Sequence, residues 1–188
     1  SLHDALPISR KSLNLLKSTL PSDKSSDVKL EFNASNAFFS FDNVKMVCRL
    51  IDERYPDYEN VIPLDNSNHI VIDKSEVLSS LKRISIYANK TTNQVRFKIS
   101  GGEILISAED LDFSNEANER ISCEHDGADI EIGFNAKFLI EILSNLNSTR
   151  VTFKLSKPNK AGLIIPDEMD DHEDITMLVM PVMLNDYD

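Results

Sequence analysis

Three observations predict an α+β fold made of repeated β-α-β-β-β units, with antiparallel strands carrying a helix on one face. First, the order strand, helix, strand, strand, strand occurs about three times along the 188 residues. Second, the strand candidates alternate apolar and polar residues, whereas the segments between them repeat apolar residues at helical spacing. Third, Arg54-Tyr-Pro-Asp-Tyr-Glu-Asn-Val-Ile-Pro63 separates the first copy from the other two. Its two prolines fix φ and disfavour helix at Tyr55 and Ile62, so this stretch is an extended connector.

In the first copy, Leu6-Pro7-Ile8 reads as the end of a strand. A helix follows over 10–20, with Ser9 as N-cap and Leu13, Leu16 and Leu20 at helical spacing. Strands are expected over 28–32, 37–41 and 44–51, the last two joined by the turn Asp42-Asn43. In the second copy, a strand over 69–72 leads into a helix over 73–89. Asp73 stands at its N-cap and Glu76 three residues on, a capping-box spacing. Val77, Leu78, Leu81 and Ile84 form its apolar face. Strands follow over 95–99 and 104–107, joined by a Gly101-Gly102 hairpin, and around 116–124. In the third copy, a strand over 130–133 precedes a helix capped by Asn135 and running to about 147. Strands over 151–155, 162–165 and 175–180 complete it, and 167–174 forms an acidic loop.

Composition narrows the function classes. The net charge of −11 argues against a protein that simply coats nucleic acid, although a local basic face remains compatible with it. No apolar run is long enough to span a membrane. Cys48 and Cys123 lie in apolar strand-like runs without a CxxC or Cys/His pattern. They read as buried, reduced thiols, which suits the cytoplasm. His3, His69, His125 and His172 are scattered, with no nucleophile pattern, phosphate loop or GxSxG around them. No cofactor and no catalytic residue is expected. Two readings stand beside a non-catalytic role in a larger assembly: a stand-alone peptide-binding adaptor, and a metal-dependent enzyme using the carboxylates of the acidic loop.

Three stretches carry a family resemblance: Arg54 to Pro63, Glu131-Ile-Gly-Phe-Asn-Ala-Lys-Phe-Leu139, and Val179-Met-Pro-Val-Met-Leu184. In this order and spacing they resemble the bacterial DNA sliding clamp, the β subunit of DNA polymerase III. The resemblance implies a ring of antiparallel sheets outside and helices inside, closed head to tail by two subunits around duplex DNA. The ring tethers the replicative polymerase and has no chemistry of its own, so a polymerase or nucleotidyltransferase label would belong to the holoenzyme. Residues 1–53 would be the second half of the middle domain, 54–63 the interdomain connector and 64–188 the C-terminal domain. The first domain and the Thr-Asp-Gly-His-Arg motif of the middle domain have no counterpart in the 188 residues.

The same resemblance implies three surfaces. A groove for linear motifs of the polymerase, the clamp loader and repair proteins would be lined by Pro56, Asn60, Val61, Asn135, Phe138, Leu178, Val179, Met180, Pro181, Val182, Met183 and Leu184. DNA would face Arg10, Lys11, Lys17, Lys74, Lys82, Arg83 and Lys137. The homodimer contact would use Ile86, Tyr87, Glu116 and Glu119. No metal site is implied.

Overall fold

The computed structural model describes residues 7–22, 25, 27–53 and 59–184. The chain divides into two compact units, Ser1–Tyr58 and Glu59–Asp188. The first contains helix α1 (Arg10–Thr19) and the strands β1 (Lys29–Phe32), β2 (Asn36–Phe41) and β3 (Val44–Arg49), which form one antiparallel sheet in that order. Ser9 caps α1 by accepting a hydrogen bond from the Ser12 N–H. Pro7 is held by its carbonyl, which accepts from Ile51 N–H at 2.9 Å. Ala37, Phe39 and Cys48 are buried, with Ile8, Leu16, Met46 and Leu50 packed around them.

The second unit contains two copies of the predicted pattern. The first comprises β4 (Asn68–Asp73), α2 (Lys74–Ile84), β5 (Gln94–Ser100), β6 (Glu103–Asp110), β7 (Asn115–Ser122) and β8 (Glu124–Asp126). The second comprises β9 (Ile130–Asn135), α3 (Ala136–Asn145), β10 (Arg150–Leu155), β11 (Gly162–Pro166) and β12 (Met177–Val179). The two copies exchange their first strands. β4 joins the sheet β12-β11-β10-β4-β8, and β9 joins the sheet β7-β6-β5-β9. Neither copy closes its own sheet, so they form a single core in which α2 and α3 pack side by side.

Phe97 on β5 meets Phe134 on β9 edge to face, with ring centroids 5.5 Å apart, and tilts against Phe153 on β10 at 6.2 Å. Phe97 and Phe153 occupy corresponding places in the two copies, so this contact lies on the approximate two-fold axis relating them. Each such ring buried from water contributes about 1.5–3 kcal/mol. The Gly101-Gly102 hairpin is a two-residue loop in which both residues have positive φ, 58° and 84°, as a twist-compatible turn requires.

Several boundaries differ from the sequence expectation. The helix predicted over 73–89 ends at Ile84 and tightens into a 3-10 turn over Ser85–Tyr87. The helix after Asn135 stops at Asn145, because Leu146 takes an extended conformation and drops its side chain into the core. The strand expected around 116–124 is two strands. The chain leaves β6 and crosses to β4, breaking at Cys123, whose N–H donates to Gly102 O at 2.8 Å. Among the described residues no helix is long and apolar enough to cross a membrane.

Candidate peptide-binding corner and charged surfaces

The end of β12 and the entry to β4 lie at the same end of the five-stranded sheet. Asn68, Leu155, Gly162 and Val179 form a single row across β4, β10, β11 and β12. Asn66, two residues before this row, donates from Nδ2 to Lys154 O at 2.8 Å and to Ala161 O at 3.3 Å. The 3-10 turn Glu59–Val61 precedes it, with Asn60 and Val61 exposed. Pro56 lies outside the described residues.

Beyond Val179 the chain leaves the five-stranded sheet and crosses to the edge of the other. Pro181 cannot donate to a ladder, which suits a segment that leaves one. Val182 N–H donates to Gly133 O at 2.9 Å and forms an isolated antiparallel bridge with β9. Gly133 permits this approach: a Cβ there would stand 2.6 Å from Val182 O and 2.8 Å from Leu184 Cδ2. Sequence reasoning did not single out Gly133, although a glycine within an apolar strand is a signal of close backbone approach. Two residues on, Asn135 caps α3 by accepting from Lys137 N–H at 3.0 Å and donates to Thr92 O. Phe138, in the first turn of α3, is 60% exposed.

Exposed apolar side chains at this end of the sheet and along the tail are Val61, Phe138, Met180 and Met183, the last 71% exposed. Leu178, Pro181, Val182 and Leu184 are half-buried. Val179 differs from a lining role, because its side chain belongs to the core. It anchors β12 from below, as strand alternation requires when Met180 points outward. Flexible thioethers beside an exposed aromatic ring and an unpaired strand edge suit an extended apolar peptide.

The charged candidates lie on all three helices. Arg10, Lys11 and Lys17 are exposed on α1, and Lys82 and Lys137 on α2 and α3. Lys74 and Arg83 are engaged within the protein. Lys74 Nζ donates to Leu146 O at 2.8 Å, at the end of α3. Arg83 pairs with Glu119 on β7 at 2.6 Å, and its guanidinium holds that carboxyl below its usual range. Ile86 is 65% exposed, Tyr87 is exposed beside it, and Glu116 is exposed on β7, which forms one end of the four-stranded sheet.

The acidic loop is tied into the fold. Asp167 accepts from Thr152 Oγ1 at 2.7 Å and Glu168 from Thr149 N–H at 2.9 Å. Among the described residues no three His, Cys, Asp or Glu side chains are grouped to hold a metal. Cys48 and Cys123 are free, and burial raises the Cys123 thiol above its usual value.

Residues 59–183 match the family model for the C-terminal domain of the DNA polymerase III beta subunit. Among curated proteins, the Beta sliding clamp of Pseudomonas aeruginosa is 31% identical over 136 residues, 72% of this chain and 36% of that protein. That of Borreliella burgdorferi is 25% identical over 163 residues, 84% and 40%. Among solved structures, the P. aeruginosa sliding clamp bound to griselimycin superposes with a TM-score of 0.86 at 26% identity. The match covers 95% of this chain and 47% of that one. The Bartonella birtlesii clamp bound to griselimycin gives 0.87 at 27% identity, covering 95% and 47%. The chain therefore spans between about a third and a half of the length of these relatives.

Proposed function

The chain belongs to the DNA polymerase III beta subunit family, the bacterial sliding clamps, and from that premise we propose that it serves in a ring-shaped processivity clamp. In this reading residues 64–188 are the C-terminal clamp domain, 54–63 the connector and 1–53 half of the domain before it. Its role is to tether, not to catalyse. The ring encircles duplex DNA without reading its sequence, in the cytoplasm, and the clamp closes as a homodimer. Ile86, Tyr87, Glu116 and Glu119 lie on the surface that meets the neighbouring subunit. Lys82 and Lys137, with Arg10, Lys11 and Lys17 on α1, contact phosphates loosely enough to allow sliding.

The observation that carries this proposal is the corner where Met180–Leu184 leaves β12 and crosses Gly133 beside Phe138. It receives short linear motifs of the replicative polymerase, the clamp loader and repair proteins, and griselimycin, which the relatives' structures contain. A peptide of Gln-x-x-Leu-Phe pattern rests its apolar anchors on Val61, Phe138 and Met180. Its backbone lies along the tail. So small a contact gives a dissociation constant in the micromolar range, about −8 kcal/mol. Calorimetric titration of the whole chain and of a chain ending at Val179 tests the reading. Loss of binding in the shorter chain is expected, and equal affinity in both would place the site elsewhere.

A further inference from the structure

We infer that the binding corner is a methionine oxidation switch: a peroxide converts Met180 and Met183 to sulfoxides, and this weakens peptide binding without unfolding the domain. The inference rests on the peptide-binding reading of the corner and adds its regulation. The chain has five methionines, and their surroundings differ. Met46 and Met177 are half-buried and packed against the cores of their units. Met169 is 44% exposed, but its sulfur accepts from Ile175 N–H at 3.3 Å, so one lone pair is engaged. Met180 and Met183 are 59% and 71% exposed. Strand alternation turns Met180 outward where Val179 enters the core. A surface that a peptide can reach is open to the smaller hydrogen peroxide, so access to these two thioethers follows from the binding role itself.

The step needs only the peroxide. A sulfur lone pair attacks one peroxide oxygen, the O–O bond breaks, and the departing hydroxide takes up the remaining proton and leaves as water. Sulfur is oxidised by two electrons and the peroxide is reduced by two. Reversal takes two thiols, which become a disulfide while the sulfoxide oxygen leaves as water. The product lacks the properties that the corner uses. A thioether is apolar, and its flexible stem adapts to whatever lies on it. A sulfoxide is polar, chiral and a hydrogen-bond acceptor. Oxidised Met180 sets that acceptor against the Leu and Phe anchors of the motif, whose side chains carry no donor, and burying an unpaired polar group opposes binding. The fold is spared for a separate reason. The tail is held by backbone and core contacts, Val182 N–H on Gly133 O and the buried Val179, and neither involves a sulfur.

Calorimetric titration of the whole chain with a methionine-free Gln-x-x-Leu-Phe peptide, before and after mild treatment with hydrogen peroxide, tests this. Mass spectrometry locates the sulfoxides and circular dichroism follows the fold. Met180 and Met183 should be oxidised before Met46 and Met177, and affinity should then fall about tenfold or more with the fold retained. The two methionine sulfoxide reductases, supplied with a dithiol, should restore it. Met169→Leu should lose affinity on treatment as the wild type does. Met180→Leu combined with Met183→Leu should keep after treatment whatever affinity it has before; if it has none, reversal by the reductases decides. An untreated wild-type chain that does not bind the peptide refutes the corner itself, and the inference falls with it. Equal binding before and after treatment, with both residues shown to be sulfoxides, overturns the inference alone. So does oxidation of Met46 or Met177 first, a loss shared by the double leucine variant, or a loss that accompanies unfolding or resists the reductases.

Discussion

At the scale of single residues, Gly133 and Asp73 show how position sets what a side chain contributes. Gly133 is where the tail crosses β9, and it has no room for a methyl group against Val182 O. Gly133→Ala should therefore displace Val182–Leu184, while the core beneath β9 stays folded. Overpacking of this kind costs about 1–3 kcal/mol, and the loss should appear as weaker peptide binding together with a modest fall in the urea midpoint. Asp73 is an N-cap whose carboxylate accepts from Ser75 Oγ and Glu76 N–H, and these bonds lower its pKa. Asp73→Ala should cost about 1 kcal/mol at neutral pH. Because the folded pKa lies below the ordinary 3.8, the contribution is complete above that value and is lost as pH falls through the folded pKa. The gap between wild type and Asp73→Ala in denaturant titrations should accordingly close in acid.

At the scale of elements, the helices and most strands were legible in the sequence because their signals are local. Caps at Ser9, Asp73 and Asn135, alternation in β5 and β10, and Gly101-Gly102 each act within a few residues. The exchange of β4 and β9 between sheets was not legible. It is decided by where Phe97, Phe134 and Phe153 can pack together, across separations that no local pattern encodes. The charged residues follow the same division. That Lys82 is exposed follows from its helical face, whereas the capture of Arg83 by Glu119 depends on β7 lying beside α2. Lys82→Glu with Lys137→Glu should weaken binding to duplex DNA and lower its salt dependence by about one unit of slope per lost phosphate contact. The 3-10 turn after α2 gives a further check. Ile86 is exposed there, so Ile86→Asp should shift folding stability by no more than about 0.5 kcal/mol. A loss of several kcal/mol would make it a core residue and remove it from the proposed subunit contact.

At the scale of the whole molecule, the second unit is two copies that complete each other, and the proposed binding corner is a by-product of that closure. The last strand must leave one sheet and reach the edge of the other, which carries Met180–Leu184 over β9 with exposed side chains around it. The family resemblance singled out these tail residues in the sequence as candidates, but the core position of Val179 emerges only once β12 is paired with β11. The central claim is that this corner takes the linear motif, and amide chemical-shift mapping during titration with a Gln-x-x-Leu-Phe peptide tests it most directly. The account predicts that the largest shifts fall on the amides of Val61, Gly133, Phe138, Met180, Val182, Met183 and Leu184, those of Gly133→Ala being much smaller at equal peptide concentration. Shifts gathered instead on the polar depression lined by Asn89, Arg96, Glu109 and Asn118, with the tail unmoved, would contradict it.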